Sequence, residues 1–137
     1  MAILTDSSFI YALYNGQDSR HQQAMDFASS NTEETWIPDV VLPEVSYLFL
    51  RDIGYSGVQI FLKNLKEIHP RWIPIVHADL DRMYDISMSY TSAQFDLVDC
   101  CVMAQAERLN ISRIATFDRR DFSIFRPRHC NYLDLLP

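Results

Sequence analysis

Glycine is nearly missing from this 137-residue chain: there are three, Gly16, Gly54 and Gly57, scattered and without a phosphate-binding spacing. Sites that cradle nucleotide phosphates on exposed backbone N–H groups need glycine-rich loops, so a nucleotide-binding fold of that kind is excluded. Cysteine is as scarce. Cys100, Cys101 and Cys130 are an odd number without the paired short spacings of a zinc site or a secreted disulfide framework, which predicts free thiols in a reducing compartment. Lysine occurs only at Lys63 and Lys66, and 12 basic against 18 acidic residues leave a net charge of −6. Bulk charge therefore gives no sign of a polyanion partner. No apolar run approaches the ~18 residues of a membrane span, and no basic segment precedes a hydrophobic one at the N-terminus. The expected location is the cytoplasm, away from the membrane.

What the chain does have is an ordinary globular composition, 48% hydrophobic and 22% charged, with no repeat, linker or low-complexity segment. One domain over residues 1–137 is expected. The basic residues are unevenly spread. Arg108, Arg113, Arg119, Arg120, Arg126 and Arg128 supply half of them from one C-terminal segment, which reads either as a local phosphate-facing patch or as a solvated surface.

Short apolar runs alternate with helical periodicity. Ala2 to Thr5 reads as a buried strand, with Asp6-Ser7-Ser8 capping a helix through Phe9 to Leu13 that Asn15-Gly16 closes. A helix from Asp18 with Ala24, Met25, Phe27 and Ala28 inward precedes a strand at Thr35 to Ile37. Residues 39–51 have helical spacing, with the regular helix starting near Pro43 and Glu44 in its first turn. Ser56 opens a helix that turns Ile60, Phe61, Leu62 and Leu65 inward, and Trp72 to Val76 reads as an edge strand because of Pro74. Ala78 to Ser92 is helical by Leu80, Met83, Tyr84, Ile86 and Ser87, and Asp99 to Leu109 forms a further helix. Strands follow at Ser112 to Phe117 and near Asn131 to Leu133. This alternation predicts an α/β fold, a three-layer α/β/α sandwich with a mainly parallel central sheet. In such sheets the functional crevice lies beyond the carboxyl ends of the strands.

Asp6 and Asp118 both stand at that kind of end, Asp99 opens the Cys100 to Ala104 helix, and Glu44 interrupts an apolar one. Singly, Asp6, Asp99 and Asp118 can each be read as a cap. Together the four are costly, because carboxylates about 4 Å apart repel by roughly 4 kcal/mol per pair at an effective dielectric near 20. A divalent cation removes that cost, and oxygen-only ligands favour Mg²⁺ or Mn²⁺ over zinc. Such a centre suits phosphodiester hydrolysis without a histidine or a covalent nucleophile. His21, His69, His77 and His129 show no metal-ligand pairing.

The stretches Leu4 to Leu13, Pro43-Glu44-Val45, Phe95 to Cys100, Ala104 to Leu109 and Ile114 to Phe122 resemble, in order and spacing, the PIN domain family and its VapC-like toxins. The resemblance covers nearly the whole chain. It implies a PIN-like α/β/α sandwich and a Mg²⁺- or Mn²⁺-dependent endoribonuclease site built from Asp6, Glu44, Asp99 and Asp118. Asp6 and Asp99 would be the principal metal ligands, Asp118 would support the metal or a bound water, and Glu44 would orient water or complete a second metal position. Ser8 and Thr116 would steady these carboxylates. Asp96 is read as accessory or as a cap, and Asp121 as part of the Arg119 to Phe122 turn. The resemblance further implies RNA as substrate, an antitoxin protein that blocks the acidic cleft, and a homodimer. Tyr47, Phe49, Tyr55 and Phe61 are read either as core or as the lining of a groove for a partner helix.

Two alternatives are weighed against this reading. An aspartyl-nucleophile phosphatase wants a second aspartate where Ser8 stands, and a lysine near a later strand. A non-catalytic RNA- or protein-binding module on the same fold would not need the intact acidic set.

Overall fold

The computed structural model describes Met1 to Pro137. In chain order it comprises β1 (Ala2–Thr5), α1 (Ser7–Tyr14), α2 (His21–Ser30), β2 (Glu34–Pro38), α3 (Val41–Asp52), α4 (Tyr55–Ile68), β3 (Arg71–Ile73), α5 (His77–Ser89), α6 (Leu97–Arg108), β4 (Arg113–Ala115), α7 (Arg119–Ile124) and β5 (Asp134–Leu136). The five strands form one sheet in the order β3-β2-β1-β4-β5, and every pairing is parallel. The expected α/β/α sandwich is therefore present, and its sheet is wholly parallel.

The strand order reverses at β1. From β1 the chain builds outward through β2 to the edge strand β3, then crosses to β4 and β5 on the other side. Parallel crossovers are right-handed, which puts the helices of the two halves on opposite faces of the sheet. The packing agrees: α1 packs on α2 and α3, and α3 on α4, while α5 and α6 pack on each other. The switch point thus falls between β1 and β4, where Leu4 pairs with Ile114 and Thr5 with Ala115. In parallel sheets that is the place of the functional site, beyond the carboxyl ends of the two strands.

The core is built from β1 and β4 (Ile3, Leu4, Ile114, Ala115), the small-residue helix α6 (Cys100 to Ala106) and a set of phenylalanines, Phe9, Phe49, Phe61, Phe122 and Phe125. Helix α6 is buried nearly all round because it carries Ala, Cys, Val and Met where a surface helix would carry charges. The three thiols are unpaired. No helix is long and apolar enough to cross a membrane.

Several local expectations are corrected. Helix α2 starts at His21, not Asp18, because the Asp18 carboxylate and carbonyl instead close a turn on the N–H groups of Arg20 and His21. Within α2 only Ala24 is fully buried, with Phe27 packed beside it, and Met25 and Ala28 face outward. Helix α3 begins at Val41, two residues before Pro43, whose missing N–H lies in the first turn where it has no intrahelical partner. In α4 and α5 the inner positions are Phe61, Leu65, Met83 and Ile86, whereas Ile60, Leu62, Leu80, Tyr84 and Ser87 are exposed. Strand β3 stops at Ile73, before Pro74, and β5 lies at Asp134–Leu136 instead of Asn131 to Leu133. Arg119 to Phe122, expected as a turn, lies in the short helix α7.

Candidate metal centre

Asp6 continues β1 by one residue: its N–H donates to the Ala115 carbonyl, and its side chain then turns back to cap α1. The carboxylate is buried and fully engaged. Oδ1 accepts from the Phe9 N–H at 3.0 Å and from the Ser8 hydroxyl at 2.8 Å, and Oδ2 accepts from the Thr116 hydroxyl at 2.5 Å. Ser8 Oγ in turn accepts from the Phe117 N–H at 2.9 Å, and Thr116 Oγ1 accepts from the Asp118 N–H at 2.9 Å. Two hydroxyls thus bolt the end of β1 to the end of β4, with a carboxylate on each side. The steadying roles expected of Ser8 and Thr116 rest on these contacts.

Asp96 caps α6 through its bond to the Asp99 N–H at 2.8 Å, which leaves the Asp99 carboxylate free of cap duty. Asp118 occupies the N-cap position of α7 but makes no cap bond, so its carboxylate is also unspent. Only Asp6 of the three candidate caps actually caps. Carboxylate oxygens of Asp99, Asp118 and Asp121 lie within 4.8 Å of one another. Asp121 belongs to this cluster and not merely to a turn: three residues after Asp118 on α7, it is carried to the same side as its predecessor. The missed signal is the repeated spacing Asp96-x-x-Asp99 and Asp118-x-x-Asp121. Asp6 is not in that close group, although its charge and that of Asp118 both act on Asp99. Glu44 stands half-buried in the first turn of α3, within electrostatic reach of Asp96 and Asp118.

The carboxylates destabilise one another's charge. Burial, then Asp96, a proton shared with Asp121, Asp6 and Asp118 push the Asp99 carboxyl up to about 9. Burial raises Asp6 to about 6 against the lowering effect of its bonds from Thr116, Phe9 and Ser8. Glu44 is raised by burial and then by Asp96. Cations do little to relieve this, since the one ion pair in the group joins Asp121 to Arg120 at 3.0 Å, and Arg120 is exposed. The Ser7 hydroxyl, buried beside Glu44, faces the Glu44 carboxylate and partly offsets the rise in its pKa.

These features fit a hard divalent cation. The donors are carboxylate oxygens without cysteine or histidine, their spacing allows a shared ion, and their raised pKa values report charge that lacks a counter-ion. Of the six C-terminal arginines, five have side-chain partners within the chain, and Arg128 is exposed and bonds Glu107 through its backbone N–H. Arg108, Arg113 and Arg120 pair with carboxylates, and Arg119 and Arg126 donate to backbone carbonyls.

Comparison with known proteins follows the same lines. The chain is similar to Ribonuclease VapC26 of Mycobacterium tuberculosis, with 22% identity over 125 residues that cover 91% of this chain and 93% of the relative. Among solved structures it is similar to VapC20 of Mycobacterium tuberculosis, described as a Sarcin-Ricin loop cleaving toxin, with a TM-score of 0.78 and 20% identity over 86% of this chain and 91% of that one. It is also similar to VapBC2 from Rickettsia felis bound to a DNA fragment from its promoter, with a TM-score of 0.70 and 13% identity over 98% and 97% of the two chains. A toxin–antitoxin complex from Klebsiella pneumoniae gives 0.66 and 18%, over 88% and 90%. The profile of the PIN domain matches residues 3–126, and with the parallel sheet and its acidic crevice this settles the family: the chain belongs to the PIN domain family.

Proposed function

We propose that the chain is a divalent-metal-dependent endoribonuclease, the toxin of a toxin–antitoxin pair, working as one domain over residues 1–137. The observation that carries this reading is the group of carboxylates from Asp99, Asp118 and Asp121 within 4.8 Å at the carboxyl edge of the sheet. The curated relative's name, a ribonuclease, supplies the reaction class.

Asp6, Asp99 and Asp118 are the proposed metal ligands, with Asp121 added by its place in the cluster. A bound Mg²⁺ or Mn²⁺ supplies Lewis acidity at the scissile phosphate and a water more acidic than bulk. The chain's own groups do the positioning. Ser8 and Thr116 hold Asp6 in one rotamer, so that its carboxylate needs no reorganisation when an ion binds. Glu44, raised in pKa and half-buried at the cleft margin, is suited to orient the attacking water and to take its proton.

The RNA substrate and an antitoxin partner follow from the same reading, supported by the toxin–antitoxin complexes among the similar structures. Of the four aromatics considered for a partner groove, Phe49 and Phe61 are core, whereas Tyr47 and Tyr55 are exposed and available to a partner. For the homodimer the support is a stripe on α5, where Leu80, Tyr84 and Met88 recur every four residues and are all exposed. A cytoplasmic location accords with the three free thiols.

The test is cleavage of RNA by purified protein in Mg²⁺ or Mn²⁺ and its loss in chelator, with Asp6→Asn and Asp99→Asn each inactive but folded. Undiminished cleavage by both variants, or no calorimetric metal binding by the parent, would overturn the proposal.

A further inference from the structure

The acidic cleft has to receive a polyanion, yet most of the arginines near it are already committed. Arg51 spends Nε and Nη2 on Asp52 at 2.7 and 3.0 Å, and Asp52 also accepts from the Tyr11 hydroxyl at 2.5 Å. Arg119 donates to the Pro137 carbonyl, and Arg120 to Asp121. Arg20, in the turn between α1 and α2, is the exception. Its Nε forms a loose ion pair with Asp18 at 3.6 Å, beyond a hydrogen bond, so that its guanidinium N–H groups donate to no acceptor, although its side chain is only 45% exposed. The Asp18 carboxylate is occupied instead by the Arg20 backbone N–H at 2.8 Å.

What holds this guanidinium is an aromatic face. Its carbon lies 4.9 Å from the centroid of the Phe117 ring, which itself stacks on Phe9 at 6.1 Å. Phe117 is the residue between Thr116 and Asp118, and its N–H donates to Ser8. Arg20 is therefore fixed relative to the acidic crevice through one intervening residue. A stacked guanidinium keeps its N–H fork in the plane of the group, free to meet a phosphate at low entropic cost. Beside it a cleft of about 200 Å³ is lined by Arg20, Asp18, Ser8 and Glu44 together with the Arg51–Asp52 pair, whose charges are spent on each other. The cleft thus joins the guanidinium fork to Ser8, whose hydroxyl holds Asp6, and to Glu44.

We infer that Arg20 binds a backbone phosphate of the RNA next to the scissile one, in the cleft that joins it to Ser8 and Glu44. This inference rests on the nuclease reading and names the substrate contact on its α1–α2 side. Arg20 acts on binding and register. It does not touch the reacting atoms, so kcat and KM should separate.

The experiment measures binding of a fluorescein-labelled, mixed-sequence single-stranded oligoribonucleotide by anisotropy in chelator, across a salt series, and steady-state cleavage of it in Mg²⁺. Arg20→Ala should raise Kd and KM about tenfold with kcat within about twofold, and should flatten the slope of log K against log salt by about 0.7, the value for one phosphate contact on a single strand. Arg20→Lys, which keeps charge but not the fork, should restore the slope and only part of the affinity. Arg71→Ala, which removes a guanidinium stacked on Trp36 at 3.9 Å on the edge of the sheet, should change nothing. Wild-type cleavage with Arg20→Ala indistinguishable from it overturns the inference alone. A parallel fall in kcat and thermal stability with unchanged KM also overturns it, by making Arg20 a packing residue. Wild-type protein that neither binds nor cleaves the RNA overturns the nuclease reading and the inference with it.

Discussion

Removing Asp99 should make the metal-free protein more stable, as expected of a functional site held at a cost to the fold. An ionised Asp99 would meet a second unit charge 4.8 Å away with a repulsion of roughly 3.5 kcal/mol at an effective dielectric near 20, and this sets the scale of the cost that the metal-free protein meets at pH 8 by holding a proton instead. Asp99 faces Asp118 and Asp121 at no more than that separation, with further contributions from Asp96 and Asp6. Asp118 is exposed, and salt screens its share. Asp99→Asn, which keeps the size and the capacity to donate to Asp121, is therefore expected to stabilise the metal-free protein at pH 8 by about 2–4 kcal/mol. For a chain of this length that is a rise in Tm of about 10 °C. The pH dependence has a definite sign. The Asp99 carboxyl, held up at about 9, keeps a proton that the unfolded chain has released. Metal-free wild-type stability is thus highest in mild acid and falls as pH rises through the window from about 4 to about 9. Asp99→Asn should flatten that fall. Saturating Mn²⁺ should raise the wild type, by about 2.7 kcal/mol at a hundredfold excess over Kd, and leave the variant less changed. The assay is thermal unfolding by circular dichroism at pH 5 and pH 8, in chelator and in Mn²⁺. A variant no more stable than wild type at pH 8 in chelator would refute the claim that these carboxylates are held against their repulsion.

Three other outcomes probe the site and its support. Asp121→Asn should weaken Mn²⁺ binding at least tenfold by calorimetry, whereas Arg120→Ala, which only frees Asp121 from an exposed partner, should leave it unchanged or tighter; equal behaviour of the two would remove Asp121 from the centre. Thr116→Val deletes the hydroxyl that serves both Asp6 and the Asp118 N–H, and a loss of activity or metal affinity of about 10- to 100-fold is expected, with intact activity counting against the bridge. Away from the cleft, buried Asp79 accepts from Arg108 and from the Val76 N–H, so Asp79→Ala should destabilise the fold by about 3 kcal/mol in urea unfolding, with the per-molecule cleavage rate of folded protein unchanged.

The sequence made the strand-end carboxylates legible because each follows a short apolar run that can only be a buried strand: Ile3-Leu4 before Asp6, and Ile114-Ala115 before Asp118. Parallel topology then brings those two strand ends together without further information. Asp121 was harder to find, since Arg119-Arg120-Asp121-Phe122 has the polarity of a turn and a helix of six residues leaves too short a period to detect. The faces of α4 and α5 are hidden for a different reason. Tyr55 to Ile68 carries apolar residues at 58, 60, 61, 62, 65 and 68, more than one face can hold, and periodicity cannot say which of them meets the sheet. Arg20 has no sequence signature at all, because its orientation depends on Phe117, 97 positions away in the chain.

Helix dipoles do not explain how the fold tolerates its acidic cluster. The N-termini of α1, α6 and α7 carry Asp6, Asp99 and Asp118 or Asp121, but such a terminus favours a nearby anion by only about 0.3–1 kcal/mol, well below the repulsion of a single pair at 4.8 Å. The remaining deficit is met by a proton when no cation is bound, and near neutral pH Asp99, held up at about 9, is the carboxyl that keeps one. Loading an ion should therefore expel that proton. Calorimetric titration with Mn²⁺ near pH 7.5, in two buffers of different ionisation enthalpy, should report about one proton released per ion bound. Apparent binding should then tighten nearly tenfold per pH unit below about 9 and level off above it. Binding without proton release, or with a flat pH dependence between 6 and 8, would mean that the cluster is already ionised and that something other than a proton balances it.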